Sequence, residues 1–162
     1  MVTFQNLSRN LTLILNEIIQ NQNVCKLLYH NESDPYSQTD IDDTKSLIKT
    51  LIFPYPFDLS AENEVRSELR VYYPNGILQG NQNIGNLKIH FDVVVHKQLW
   101  MISGEDYSAI RPYEIMHNLV QQLNGNLIGM VGRIRFDQGF VHLSANEQFD
   151  VIRLIASVVT GK

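Results

Sequence analysis

With 162 residues, 44% of them apolar, the chain is long enough to bury a core within one domain. Its net charge of −4 comes with no cluster of Lys and Arg, so the electrostatic footprint of a nucleic-acid groove or of an anionic membrane surface is missing. The lone Cys25 excludes an internal disulfide, and no apolar run approaches the roughly 20 residues of a bilayer crossing.

Phe4, Leu7, Leu11, Ile14 and Ile18 recur at three- and four-residue steps, which predicts an amphipathic helix over 4–20, widened by Leu13, Leu15 and Ile19. This stretch does not read as a secretory leader, because Asn10 and Asn16 interrupt its apolar part and Glu17 stands where a small-residue cleavage site would be. Asn21 and Asn23 break the helix, and NVCKLLYH makes a short second turn in which Cys25 is a small core residue. Residues 31–63 then read as an insertion or intersubunit arm. DTKSLIKTLI within it has the pattern of a short helix with Asp42 and Asp43 at its start. Pro54 and Pro56 make FPYPFD extended. Its aromatics Phe53, Tyr55 and Phe57 either cover the domain's own core or anchor the segment on another chain.

Leu69, Val71 and Tyr73 alternate with Glu68, Arg70 and Tyr72, the period of a half-buried strand. A long glycine-bearing loop, ILQGNQNIGN, leads to a second strand from Leu87 to about Trp100, antiparallel to the first. SGEDYSAI is a turn, and RPYEIMHNLVQQLNG is a helix with Pro112 near its start and Gly125 just past its end. LIGMVGRIRF, FVHL and EQFDVIRLIASVVT supply three more strands. The sum is an α+β fold: a mostly antiparallel sheet with two main helices on one face, plus long loops.

HFDVVVHKQLWM holds the densest candidate chemistry. Alternation puts Ile89, Phe91, Val93 and Val95 on the core side of a strand and His90, Asp92, Val94 and His96 on the other, which is expected to face water or a subunit. At strand rise His90 and His96 are roughly 20 Å apart, too far to share an ion. His90 and Asp92 could touch one ion only if a third ligand, such as His142, came from elsewhere. DIDD lacks the Gly and distal Glu of a calcium loop, and GNQNIGN lacks the Lys-Ser/Thr ending of a phosphate loop. Ser103 and Ser144 have no positioned His and acid partners in the sequence, and Glu114 with His117 reads as a surface pair on a helix. A nuclease set of Glu64, Glu68, Asp92 and Lys97 has no diagnostic spacing.

The element order, and above all the passage from FDVVVHKQLWMI into RPYEIMHNLVQQLNG, resembles the small neck proteins of tailed bacteriophages, especially tail-terminator and tail-completion proteins. The likeness covers most of residues 1–160, and the long 31–63 stretch departs from it. The resemblance implies a non-enzymatic virion protein without cofactor, assembled in the host cytoplasm. Such a protein forms a ring, commonly a hexamer, at the head–tail junction. Its partners are copies of itself and the neighbouring connector and tail-tube proteins, with DNA only as passing cargo and no membrane. Candidate interaction residues are Phe53, Tyr55, Phe57, Asn81, Asn83, His90, Asp92 and His96, with the loops 31–63 and 75–86 as intersubunit arms. Two other readings stand beside this one: a metal-dependent hydrolase or nuclease built on His90, Asp92 and His142, and a monomeric regulatory or ligand-binding domain.

Overall fold

The computed structural model describes residues 2–58, 64–80, 84–85, 87–129 and 132–159. In chain order the elements are α1 (Phe4–Ile18), α2 (Gln22–Tyr29), β1 (Ile52–Phe53), β2 (Ser67–Tyr72), β3 (Ile77–Leu78), β4 (Ile84–Gly85), β5 (Lys88–His96), β6 (Met101–Ser103), β7 (Ser108–Ile110), α3 (Arg111–Leu123), β8 (Arg133–Arg135), β9 (Phe140–Ser144) and β10 (Phe149–Val159). The main sheet runs β1-β2-β5-β10-β8, with β9 also on β10, on the side away from β5. β1 and β2 are parallel, and every other strand pairing described is antiparallel. The architecture is therefore the α+β sandwich that the alternation and the helical stripes predict, with three helices rather than two on the core face.

The third helix is α2. α1 ends at Ile18 with Ile19 as its C-cap, and Asn21 caps α2, its side-chain oxygen accepting from the backbone N–H groups of Asn23 and Val24. Val24, Cys25, Leu27 and Leu28 are all buried, a full helical stripe within eight residues. In α1, Thr3 and Asn6 form a reciprocal capping box, and Ile14 and Ile18 reach the core while Phe4, at the start of the stripe, stays exposed. α3 has Pro112 in its first turn and Gly125 after its C-terminal cap, where φ of 75° favours a residue without a Cβ.

The 31–63 stretch behaves differently from a free arm. Its described part, residues 31–58, packs on the chain's own body, with Leu47 and Ile52 in the core and Tyr36 and Ile41 against it. Gln22 pins it by exchanging two hydrogen bonds of 2.9 Å with the backbone of Ile41. DTKSLIKTLI forms only a 3-10 turn, Thr44–Leu47, instead of a helix, because Lys49 adopts φ of 75° and sends the chain back so that its N–H reaches the carbonyl of Ile52. Residues 59–63 lie outside the described residues.

Three strand boundaries also move. β5 stops at His96, whose Nδ1 accepts from the Gln98 N–H and starts a 3-10 turn over Lys97–Leu99. SGEDYSAI is a hairpin arm, β6 against β7, rather than a bare turn. Among its described residues, LIGMVGRIRF yields the short β8 and an isolated bridge from Leu127 to Arg133. The long runs β5 and β10 pair along Phe149–Ser157 and form the centre of the sheet.

Candidate assembly surfaces

The register aligns three side chains across the sheet on the face opposite the helices: Arg70 of β2, Asp92 of β5 and Arg153 of β10. The alternation leads one to expect water or a subunit on this face; within the chain itself much of it is covered. Asp92 is 2% exposed and Glu68 is fully buried, and His96 is buried with them. The cover is the FPYPF segment, which folds back over the sheet. Phe53 lies 3.7 Å from the Arg70 guanidinium, ring centroid to Cζ, and Phe57 packs with Phe149, Val94, Val151, Leu143 and Ala145 as a second small core. Proline at 54 and 56 holds this strap extended, and β1 fixes its start on β2. Of its three aromatics only Tyr55 remains exposed.

Under the strap each carboxylate is engaged by arginine. Glu68 takes Arg70 at 2.6 Å on one oxygen and Arg66 at 3.2 Å on the other. Arg153 donates through Nε and Nη2 to the two oxygens of Asp92, at 2.8 and 2.9 Å, and Tyr72 donates its hydroxyl to Asp92 at 2.6 Å. Burial and the Asp92 carboxylate push the Tyr72 phenol up to about 12. Burial, with the positive charges of Arg153 and Lys88, pulls the neighbouring His90 imidazole below its ordinary range against a smaller upward pull from Asp92. The His90 ring meets the Tyr72 ring edge-on at 5.5 Å, and the His96 ring meets Phe149 at 5.1 Å. Asp92 is thus held on both oxygens by fixed donors, whereas Glu68 Oε1 is buried with the Arg66 ion pair beside it and no hydrogen bond.

The metal constellation is separated by the sheet itself. His142 pairs with Ile152, a core-face residue, whereas Asp92 pairs with Arg153 on the other face, so His142 and Asp92 point to opposite sides. Among the described residues no group of three or more His, Cys, Asp or Glu side chains is placed to hold a metal ion. A cavity of about 310 Å³ opens beside the strap, between Phe57, Leu143 and Val151, with Tyr72, Asp92 and Arg153 at its polar end. Asn81 and Asn83 lie outside the described residues.

A second surface lies at the rim of the sheet. Among the described residues β9 has one strand neighbour, β10, so its other edge presents backbone donors and acceptors without a strand partner. Edge strands are ordinarily guarded by a charge, a proline or a bulge. FVHLS carries none of these beyond His142. Phe140 is 57% exposed, Val141 is exposed, and the Tyr113 ring of α3 approaches Phe140 at 6.2 Å. Trp100 stacks on His142 at 5.8 Å with 16° between the planes, and Asp150 pairs with the same imidazole at 3.5 Å. Met101, beside Trp100 in the chain, is 64% exposed. The sequence signal was present in FVHL, a short uncharged run between two turns. Its position at an edge becomes visible only from the sheet order.

The third surface is the 75–86 loop, whose described part includes the hairpin β3–β4. Ile77 and Leu78 are each 59% exposed on it. A cleft of about 560 Å³ lies at its base, lined by Asn75, Ile77, Leu87, Gln138, Ser157 and Val158, and Leu87 accepts from the Val158 N–H at 3.4 Å.

No curated protein and no solved structure matches the chain. A family model does: YomW, over residues 21–158.

Proposed function

We propose a structural role in a phage particle for this chain, which belongs to the YomW family, a Bacillus phage-type family. The finer reading is a ring-forming protein of the neck, a tail terminator or tail-completion protein, without enzymatic activity or cofactor. It joins copies of itself and contacts the connector and tail-tube proteins on either side, while DNA passes through the ring. The observation that carries this reading is the unguarded β9 edge with Phe140, Val141, Met101 and Tyr113 exposed around it. The pairing of Glu68 and Asp92 with arginines supports it, since each carboxylate lies against a fixed cation.

The test is a phage that encodes this chain, with the gene interrupted. Purified wild-type particles should contain the chain by mass spectrometry. The interrupted phage should accumulate filled heads and unjoined tails under the electron microscope. Infectious particles of normal form in its absence would overturn the reading. A ligand-binding domain is the second reading, and the cavity ending in Tyr72, Asp92 and Arg153 favours it. Ligand copurifying in that cavity, in a chain absent from particles, would favour it over the first.

A further inference from the structure

The cavity beside the strap has walls of two kinds. Pro56 and Phe57 of the strap, Leu143 of β9 and Val151 of β10 supply its apolar sides, and Tyr72, Asp92 and Arg153 close its polar end. At about 310 Å³ it stands at the lower limit of ordinary small-molecule pockets, roughly 300–1,000 Å³, a size that suits a fused ring pair and not a nucleotide. The three polar groups differ in what they have left to offer. Asp92 accepts from Arg153 on both oxygens and from Tyr72, and 4% of its side chain meets solvent. The Tyr72 hydroxyl donates to Asp92 and accepts from Arg153 Nη2 at 2.9 Å. Arg153 uses Nε and Nη2 in these bonds, its Nη1 donates to no described residue, and 25% of its side chain is exposed. The polar end therefore presents a donor and calls for an acceptor on its occupant. Charge narrows the class further. A carboxylate or phosphate on Nη1 would bring a second negative charge beside Asp92 among apolar walls, and an ammonium would face the guanidinium without a counterion. A carbonyl oxygen takes the Nη1 hydrogen and changes no charge.

We infer that this cavity binds a small uncharged ring compound whose carbonyl oxygen accepts from Arg153 Nη1 and whose apolar body lies between Phe57 and Leu143. This rests on the second reading above, the cavity as a ligand site, and names the class of ligand. The ion pair that ties β5 to β10 serves at the same time as the recognition group: Asp92 acts through Arg153, holding the guanidinium in one orientation by a bidentate contact. Phe57 is a fixed wall, because its ring packs on Phe149 at 5.5 Å between centroids.

The experiment uses the full chain and prodan, a neutral fluorescent naphthyl ketone whose emission moves to the blue in apolar surroundings. Two relatives compete with it: one carries a carboxylate in place of the ketone, and one carries propyl in place of propionyl, which keeps the body and loses the acceptor. Prodan should bind saturably at one site per chain. Each relative should need at least about tenfold more to displace it, through the added charge in one case and the lost hydrogen bond to a charged donor in the other. Leu143→Trp fills the cavity from β9 and should abolish binding. Phe140→Ala removes an exposed ring on the other face of β9, opposite the core residue Leu154, and should leave binding unchanged. Methyl NMR of the wild-type chain locates the probe without any substitution: the signals of Leu143 and Val151 should shift, and those of Leu11 and Ile48, which line a separate groove, should not. A relative that binds as tightly as prodan overturns the inference alone and leaves the ligand-site reading standing. Saturable binding by none of the three compounds overturns both. Binding that survives Leu143→Trp, or that moves Leu11 and Ile48 instead, puts the probe elsewhere and overturns the inference.

Discussion

Arg153 holds Asp92 by both oxygens across the central strand pair, and the two side chains differ in their access to water: 25% of the arginine side chain is exposed against 4% of the aspartate. That asymmetry sets the order of mutational cost. Arg153→Met strands a buried carboxylate and should cost about 3–5 kcal/mol. Asp92→Asn leaves an arginine that can turn toward solvent and should cost about 1–2 kcal/mol. The double variant Asp92→Leu with Arg153→Met should recover part of the first loss. Urea unfolding of the three proteins gives the comparison, and an Asp92→Asn cost equal to or above that of Arg153→Met would refute the order.

Arg111 is a buried cation, 1% exposed, and among the described residues no carboxylate forms an ion pair with it. Its guanidinium donates to four backbone carbonyls: Leu99 at 2.9 Å, Leu27 at 2.6 Å, His30 at 2.8 Å and Glu32 at 3.0 Å. It thereby ties the last turn of α2 to the start of α3, and burial pulls its pKa down to about 10. Lysine cannot reproduce the fork, so Arg111→Lys should lower stability by about 3 kcal/mol, and Arg111→Met by at least as much. A thermal melt within a degree or two of wild type for Arg111→Lys would show that the carbonyls find other donors.

Gly104 sits under the Tyr107 ring in the β6–β7 hairpin, and a Cβ there would collide with that ring and lie 2.9 Å from an oxygen of Asp34. Tyr107 donates its hydroxyl to Asp34 at 2.5 Å, so the collision also opens this bond. Gly104→Ala should cost about 1–3 kcal/mol. In a Tyr107→Ala background the same change should be close to neutral, a non-additivity that a double-mutant cycle measures directly. Additive costs would mean that the glycine serves its backbone and not the ring.

His90 gives the fold a sensitivity to acid. Its folded pKa is depressed below 6.5, first by burial and then by Arg153 and Lys88. The unfolded chain then binds the proton more readily. Above about pH 6.5 the group is neutral in both states and costs nothing. As pH falls through 6.5 toward the folded pKa, stability should decline, and below the folded value the loss is complete. His90→Gln should flatten this part of the stability profile, read as denaturant midpoint against pH. An unchanged slope in the variant would remove His90 from the account.

The parts of the fold visible in the sequence are those encoded by near neighbours. Ile89, Phe91, Val93 and Val95 alternate with their polar companions, and this alone fixes the inner side of β5. The outer side is decided at a distance. Whether His90, Asp92 and His96 meet water depends on Phe53 and Phe57, which precede them, and on Arg153, which follows, and no local period carries that information. By its pattern α2 is no more than a turn, because eight residues hold barely two periods of a stripe, although Asn21 marks its start. The helix expected around residue 48 had an acceptable apolar pattern. It yields to the left-handed Lys49, which the sequence does not announce. The β9 surface was missed for a related reason: an uncharged strand is ordinary in the middle of a sheet and exceptional at its rim, and rim or middle is a property of strand order.

The placement of β10 beside β5 governs how the molecule is made. β5 leaves the ribosome before α3 and the strands β6 to β9, while the strand that closes along its whole length follows every other element described. Until then Phe91, Val93 and Val95 line a half-built layer with a long open flank. Nascent chains would therefore be most vulnerable to sticking to one another late in translation, and slowing synthesis before Phe149 should lower the soluble yield more than the same delay placed before α3.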